Sequence, residues 1–279
     1  MDYAWLLVSK ERCLMRAPLT DAVRSPAGCA SIGMVMTLVD IGASSPALVA
    51  CRPDWTATQD LSVYGAGWLA EGPILIDSQI VRVGKKMIVL TADVYDTHGM
   101  EDFNTLEAAI DQAKRGDVQG GLTLAANGLI TFARLPGSAA SGVDDYEPAG
   151  WVGEIRHRVS DHSAEGTLYE RLGLRVVDSQ TGQVELDLTK NVANSIGTIN
   201  GGAQATLIEV AAEGMRPGLV ATDMQIHYLS QVRAGPARSS AQVLRDAADH
   251  SVVSVELVDV GNGNQLLTRA TVTLVSPPH

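Results

Sequence analysis

The chain has 279 residues, 46% of them hydrophobic, and a formal charge of −11. That is apolar material for two ordinary domains or one fused pair, and the acidic balance excludes a non-specific nucleic-acid binder, which needs a basic face. Three cysteines with no close pair point to a reducing compartment rather than a disulfide framework. The apolar start at 3–8 lacks a basic leader, and no run approaches membrane-spanning length, so the expectation is a cytoplasmic protein with no membrane partner.

In chain order, 5–10 and 15–20 read as a short antiparallel pair. A glycine turn then feeds a helix over 34–50, apolar nearly all round and therefore buried by sheet. Pro46 marks a kink or an early end. Strands are predicted over 58–65, 74–83 and 87–96. Residues 97–121 hold an inserted amphipathic helix: Asn104 to Glu107 are spaced as a capping box, Leu106, Ala109, Ile110 and Ala113 form its stripe, and Gly116 is its stop. Packing on the outside is favoured over lidding a pocket. Strand 122–135 closes the first unit, 1–135. The segment 136–166, rich in Gly, Ser, Ala and Asp, reads as a linker. The second unit, 167–279, has a short helix at 167–172 and strands at 174–179 and 184–189. A central helix at 203–213 follows, then strands at 221–229, 237–245, 251–258 and 265–275.

The two units are copies. At an offset of 169, Gly28 falls on Gly197, Gly33 on Gly202, Thr37 on Thr206 and Asp40 on Glu209. After a small gap an offset of 163 matches Asp60 with Asp223, Gly72-Pro73 with Gly235-Pro236, Gln79 with Gln242, Arg82 with Arg245 and Asp96 with Asp259. Each central helix thus has a glycine-rich start with free N–H groups, which attracts negative charge, and an acid in an apolar run. Seven or eight residues at 1.5 Å rise separate acid and start by about 11–12 Å. A carbonyl held by one terminus is out of reach of the acid on the same helix, so a catalytic site needs two antiparallel copies.

Strand pair, glycine turn, apolar helix and antiparallel meander together resemble the hotdog fold, in which a curved sheet wraps one helix. The whole chain is similar to a fused tandem: an α+β double hotdog, two sheets each around a long helix, a pseudo-dimer in one chain. The second unit resembles acyl-CoA thioesterases of the phenylacetate-degradation (PaaI) type. Asn194, Asn200-Gly201-Gly202 and Glu209 hold the places of that family's Asn/Gln, His-Gly-Gly and acid, and Ile226-His227-Tyr228-Leu229 and Arg233-Ala234-Gly235 also match it. Asn200 replaces the family's His, and Ser31-Ile32-Gly33 replaces the His-Gly-Gly in the first unit, with Ser25 in the Asn/Gln place.

The resemblance implies two pseudo-equivalent pockets. One combines Asn194 and the Gly201 and Gly202 amides with Asp40 and Ser44. The other combines Ser25 and the Ile32 and Gly33 amides with Glu209 and Glu213. Ser44, four residues past Asp40, offers a hydroxyl to orient the acid or a water. Glu213, four past Glu209, places like charges together and weakens a nucleophile or base, so the first pocket is favoured. The implied activity is hydrolysis of an acyl-CoA thioester. The helix-end amides hold the oxyanion, Asn194 orients carbonyl or water, and Asp40 either attacks or activates water. Arg82, Lys85, Lys86 and Arg245 are candidates for the CoA phosphates, against the plainer reading of solvated charges.

Beyond the CoA thioester substrate no cofactor is expected. The histidine spacing gives no metal site, and a homo-oligomer of the fused chain is allowed. No G-x-S-x-G elbow is present. The alternatives are a non-catalytic acyl-CoA or lipid-binding protein and, ranked last because no Asp/His dyad is evident, a hydratase or dehydratase. His227 reads as structural.

Overall fold

A computed structural model describes residues 2–115, 121–140, 146–159 and 166–277. The first half holds β1 (Tyr3–Ser9), β2 (Arg12–Ala17), α1 (Ile32–Cys51), β3 (Trp55–Gly65), β4 (Ile74–Val83), β5 (Met87–Asp96), α2 (Phe103–Lys114) and β6 (Thr123–Leu135). Then come β7 (Ile155–Arg158), α3 (Leu168–Leu172), β8 (Arg175–Asp178), β9 (Gln183–Leu186), α4 (Gly201–Met215), β10 (Val220–Tyr228), β11 (Ala237–Asp246), β12 (His250–Asp259) and β13 (Gln265–Val275).

The two expected sheets are joined into one of 13 strands, in the order β7-β1-β2-β4-β5-β6-β3-β10-β13-β12-β11-β9-β8. Set aside β7 and the order reads as a mirrored pair about the β3–β10 seam, where Leu61 faces Ile226 and Asp60 faces His227. Each half-sheet curls round its own helix. Both helices are apolar on nearly every side because both lie inside that wrap, and Leu38, Val39, Ala43, Leu207, Ile208 and Ala211 are fully buried. Matched loops are held alike. The Asp96 carboxylate accepts from the amides of Ala70, Glu71 and Gly72, and Asp259 accepts from those of Arg233, Ala234 and Gly235.

Several expectations change. Helix α1 does not end early at Pro46. Proline removes the N–H that the Gly42 carbonyl would have received, and the buried Ser78 hydroxyl stands 3.1 Å from that carbonyl as a donor, shared with the Cys13 carbonyl at 3.2 Å. With 20 residues and a mean hydropathy of 1.6, α1 is long and apolar enough to cross a membrane, contrary to the sequence reading, but it is the core helix of the first half-sheet. The α2 N-cap is Asp102, which accepts from the Thr105 amide, rather than a box at Asn104. Its expected stop, Gly116, lies outside the described residues. Phe103, Leu106 and Ile110 pack on Leu14, Leu75 and Tyr95, so α2 covers the outer sheet face as expected. The expected linker is partly structured: β7 adds a strand beside β1, with Trp5 opposite Arg156.

Candidate active site

The helices α1 and α4 cross so closely that a Cβ on Gly33 would lie 2.6 Å from the Thr206 Cα, and one on Gly202 would lie 2.1 Å from the Thr37 hydroxyl. This approach brings each helix start to the acid of the other, the antiparallel loan that the repeat requires. Ser31 caps α1 through the Met34 amide, and Asn200 caps α4 through the Ala203 amide. Asn200 thus fills the place of the resembled family's His as a capping residue.

The two ends are then used differently. At the start of α1, Glu209 accepts from the Ile32 amide at 2.9 Å, from the Gly33 amide at 3.2 Å and from the Ser31 hydroxyl at 2.5 Å. It is fully buried. Burial and then the neighbouring Glu213 push its pKa up, against those three donors; burial raises Glu213 too. Glu209, expected among the catalytic acids, is therefore a buried carboxyl group that fills the amide site at the start of α1. Ser25 is likewise spent locally, its hydroxyl 3.3 Å from the Cys29 Sγ.

At the start of α4 the terminus stays open. The Gly201 and Gly202 amides have no acceptor among the described residues. Asp40, one methylene shorter than Glu209, lies against the Gly201 Cα: a Cβ there would be 3.3 Å from the Asp40 Oδ2 and 3.0 Å from the Tyr228 hydroxyl. Asp40, Ser44, Asn194 and Gly201 line one cavity of about 1120 Å³. The Asp40 Oδ1 accepts from the Thr58 hydroxyl at 2.6 Å, which leaves Oδ2 toward Gly201. Burial pushes the Asp40 pKa up to about 6, and the Thr58 bond opposes the rise. Tyr228 donates to the Gly201 carbonyl at 3.0 Å and so fixes the first residue of α4.

Other assignments shift. Ser44 gives its hydroxyl to the Ile41 carbonyl, so the hydroxyl on Asp40 is that of Thr58. The Asn194 Oδ1 accepts from the Ile196 and Thr198 amides and folds the turn before α4, which leaves only its NH₂ for a ligand. Gly202 packs on Thr37 and is not among the residues that line the cavity. Arg82 in β4, Lys85 and Lys86 in the β4–β5 turn, and Arg245 in β11 do not line it either. The arginines that do are Arg156 and Arg158 of β7. An Asp/His pair does exist: the His227 Nδ1 lies 2.5 Å from the Asp60 Oδ1 across the seam. Met224 and Ile226 point inward and His227 belongs to the alternate row of β10, yet Asp60 and His227 both line the same cavity as Asp40, with side chains 36% and 58% exposed.

Sequence reading missed Thr58, Tyr228 and the 146–158 strap. For Tyr228 a signal was present in the alternation of β10, which puts it on the same face as Met224 and Ile226. Thr58 had none, because its role depends on how β3 passes α1.

The chain is a double hotdog. A family model described as the acyl-CoA thioesterase N-terminal domain matches residues 190–275, from the loop before α4 to the end of β13. Similar solved structures include a proposed oleoyl thioesterase from Lactobacillus plantarum, with a TM-score of 0.60, 10% identity, and 100% of this chain and 98% of that one covered. The 12:0-ACP thioesterase from Umbellularia californica has a TM-score of 0.57 at 11% identity, covering 94% and 93%. The tesB protein of Mycobacterium avium subs. paratuberculosis has 0.55 at 10%, covering 97% and 95%. At these identities the likeness is one of fold. No curated protein matches the chain.

Proposed function

We propose that the chain is an acyl-CoA thioester hydrolase built as a fused pair of PaaI-type units, 1–135 and 167–279, with one working site. The observation that carries this reading is the asymmetry of the helix ends: one terminus is filled by Glu209, and the other is open to a cavity beside Asp40. The match of the thioesterase domain over 190–275 supports the substrate class.

In this reading the thioester carbonyl oxygen sits on the Gly201 amide, and the positive end of α4 stabilises the oxyanion. Thr58 holds one oxygen of Asp40. The other either takes a proton from water, which adds to the carbonyl, or attacks directly and is released by water afterwards. Collapse of the tetrahedral adduct expels the thiolate, and the proton ends on the departing thiol. The overall change is one water consumed, with one acid and one thiol formed. Asp40 with a pKa near 6 is ionised at pH 7 yet still basic enough to accept a proton.

The test is release of CoA from a panel of acyl-CoAs by wild type and Asp40→Asn. Turnover that falls about 10²- to 10⁴-fold in the variant supports the reading. Saturable binding without turnover in the wild type would make the protein an acyl-CoA binder. Hydration of an enoyl-CoA would make it a hydratase.

A further inference from the structure

The cavity has a second chemically distinct end, and this inference rests on the thioester reading above. From Asp40 it follows α1 past Ile41 and Ser45 to Leu48, about 12 Å along the helix. There it meets Trp55 and the 146–158 strap. Tyr146 packs edge-on against Trp55 and Trp151, with centroids at 5.6 and 4.8 Å. The Arg156 guanidinium stacks 4.2 Å over Trp151.

Two donors stand in this end wall without acceptors. The indole Nε1–H of Trp5 and the Nε–H of Arg156 are both buried, and neither has a hydrogen-bond partner among the described residues. They are not independent orphans. Trp5 and Arg156 are directly opposite each other in the β1–β7 register, on the row that also holds Tyr3 opposite Arg158, and all four residues line the cavity. A buried donor left unpaired costs about 1–3 kcal/mol, and two side by side in a ligand cavity call for a group that brings acceptors. Among the described residues Arg156 and Arg158 are the only lysines or arginines that line it, inside a chain of net charge −11. The Arg156 Nη1 has Glu154 at 3.6 Å, and the two side chains are 39% and 61% exposed, so only the Nε of Arg156 is sealed from water.

We propose that Trp5 and Arg156 form an oxyanion subsite for the far end of the substrate, and that the acyl group carries a distal carboxylate. The apolar stretch past Ile41, Met15 and Leu48 suits the hydrocarbon between thioester and carboxylate. A phosphate of the CoA carrier has the same acceptor chemistry, so the test separates the two sources.

Adipyl-CoA and suberyl-CoA are compared with hexanoyl-CoA and octanoyl-CoA, and each acyl group is also offered as its pantetheine thioester, which has no phosphate. The wild type is expected to favour the dicarboxylic acyl groups on both carriers. Arg156→Met is expected to lower kcat/KM for adipyl-CoA by about tenfold to a hundredfold while hexanoyl-CoA stays within about twofold. Because Arg156 also braces Trp151, Trp5→Phe is the companion variant: it keeps an aromatic ring, loses the N–H with part of the indole, and is expected to move the ratio in the same direction. A loss that follows CoA against pantetheine, whatever the acyl group, keeps the oxyanion subsite and assigns it to a phosphate. Unchanged ratios in both variants, with hexanoyl-CoA still hydrolysed, overturn the subsite and leave the hydrolase reading standing. If the wild type turns over no thioester, quenching of tryptophan fluorescence by suberate but not octanoate, lost in Arg156→Met, retains the subsite and rejects the hydrolase. No quenching by either acid overturns the subsite as well.

Discussion

At positions 40 and 209 the two halves carry the same carboxyl group on side chains that differ by one methylene. The longer one reaches the amides of the opposing helix, and the shorter one stops beside them. Glu209→Asp should withdraw the carboxylate from the buried Ile32 and Gly33 amides and lower stability by about 2–4 kcal/mol in urea unfolding; unchanged stability would show that those bonds contribute nothing. Asp40 works in the other direction. Its pKa is raised from 3.8 to about 6, so the folded state holds the proton more tightly than the unfolded chain. That contribution is fully present below about pH 4 and is lost as pH rises through about 6. Asp40→Asn should therefore melt above wild type at pH 8, with the gap closing at pH 4. An equal gap at both values would contradict burial as the cause. Removing the Thr58 donor by Thr58→Val destabilises the ionised form, so the acid limb of kcat/KM should move above pH 6.

Helix α1 carries a proline without ending, and the account of this is local. Ser78→Ala should cost about 1–3 kcal/mol because the Gly42 carbonyl is then buried unpaired. In a Pro46→Ala background the restored N–H serves that carbonyl, so the same substitution should cost much less, and a double-mutant cycle reads the coupling. Additive costs would exclude the link. Most elements were legible in the sequence. Strands β5 and β13 alternate because one face lies on a helix, and β4, between α1 and α2, is instead buried on both faces over its first five residues and was marked by the turn residues that follow it. The repeat made the crossing of α1 and α4 legible as well, and with it the meeting of Asp40 and Gly201. The strap was not. Four residues of β7 are too few for a periodic signal, and they join the sheet only because β1 leaves an open edge. The four cations expected at the CoA phosphates do not line the cavity, and charge in a strand or hairpin turn does not say which way it points.

Across the whole molecule the sheet keeps its twofold order while the helix ends do not, and function is assigned to the place where the symmetry breaks. In the proposed reading one pocket works, and the equivalent terminus is filled by a structural contact from Glu209. The direct test is hydrolysis of acyl-CoA by matched substitutions at the two equivalent acids, Asp40→Asn and Glu209→Gln, each checked for folding by its melting transition. The account predicts that Asp40→Asn loses about 10²-fold or more in kcat, while Glu209→Gln, even if less stable, turns over within a few-fold of wild type. Equal losses in the two variants, or a loss confined to Glu209→Gln, would contradict it.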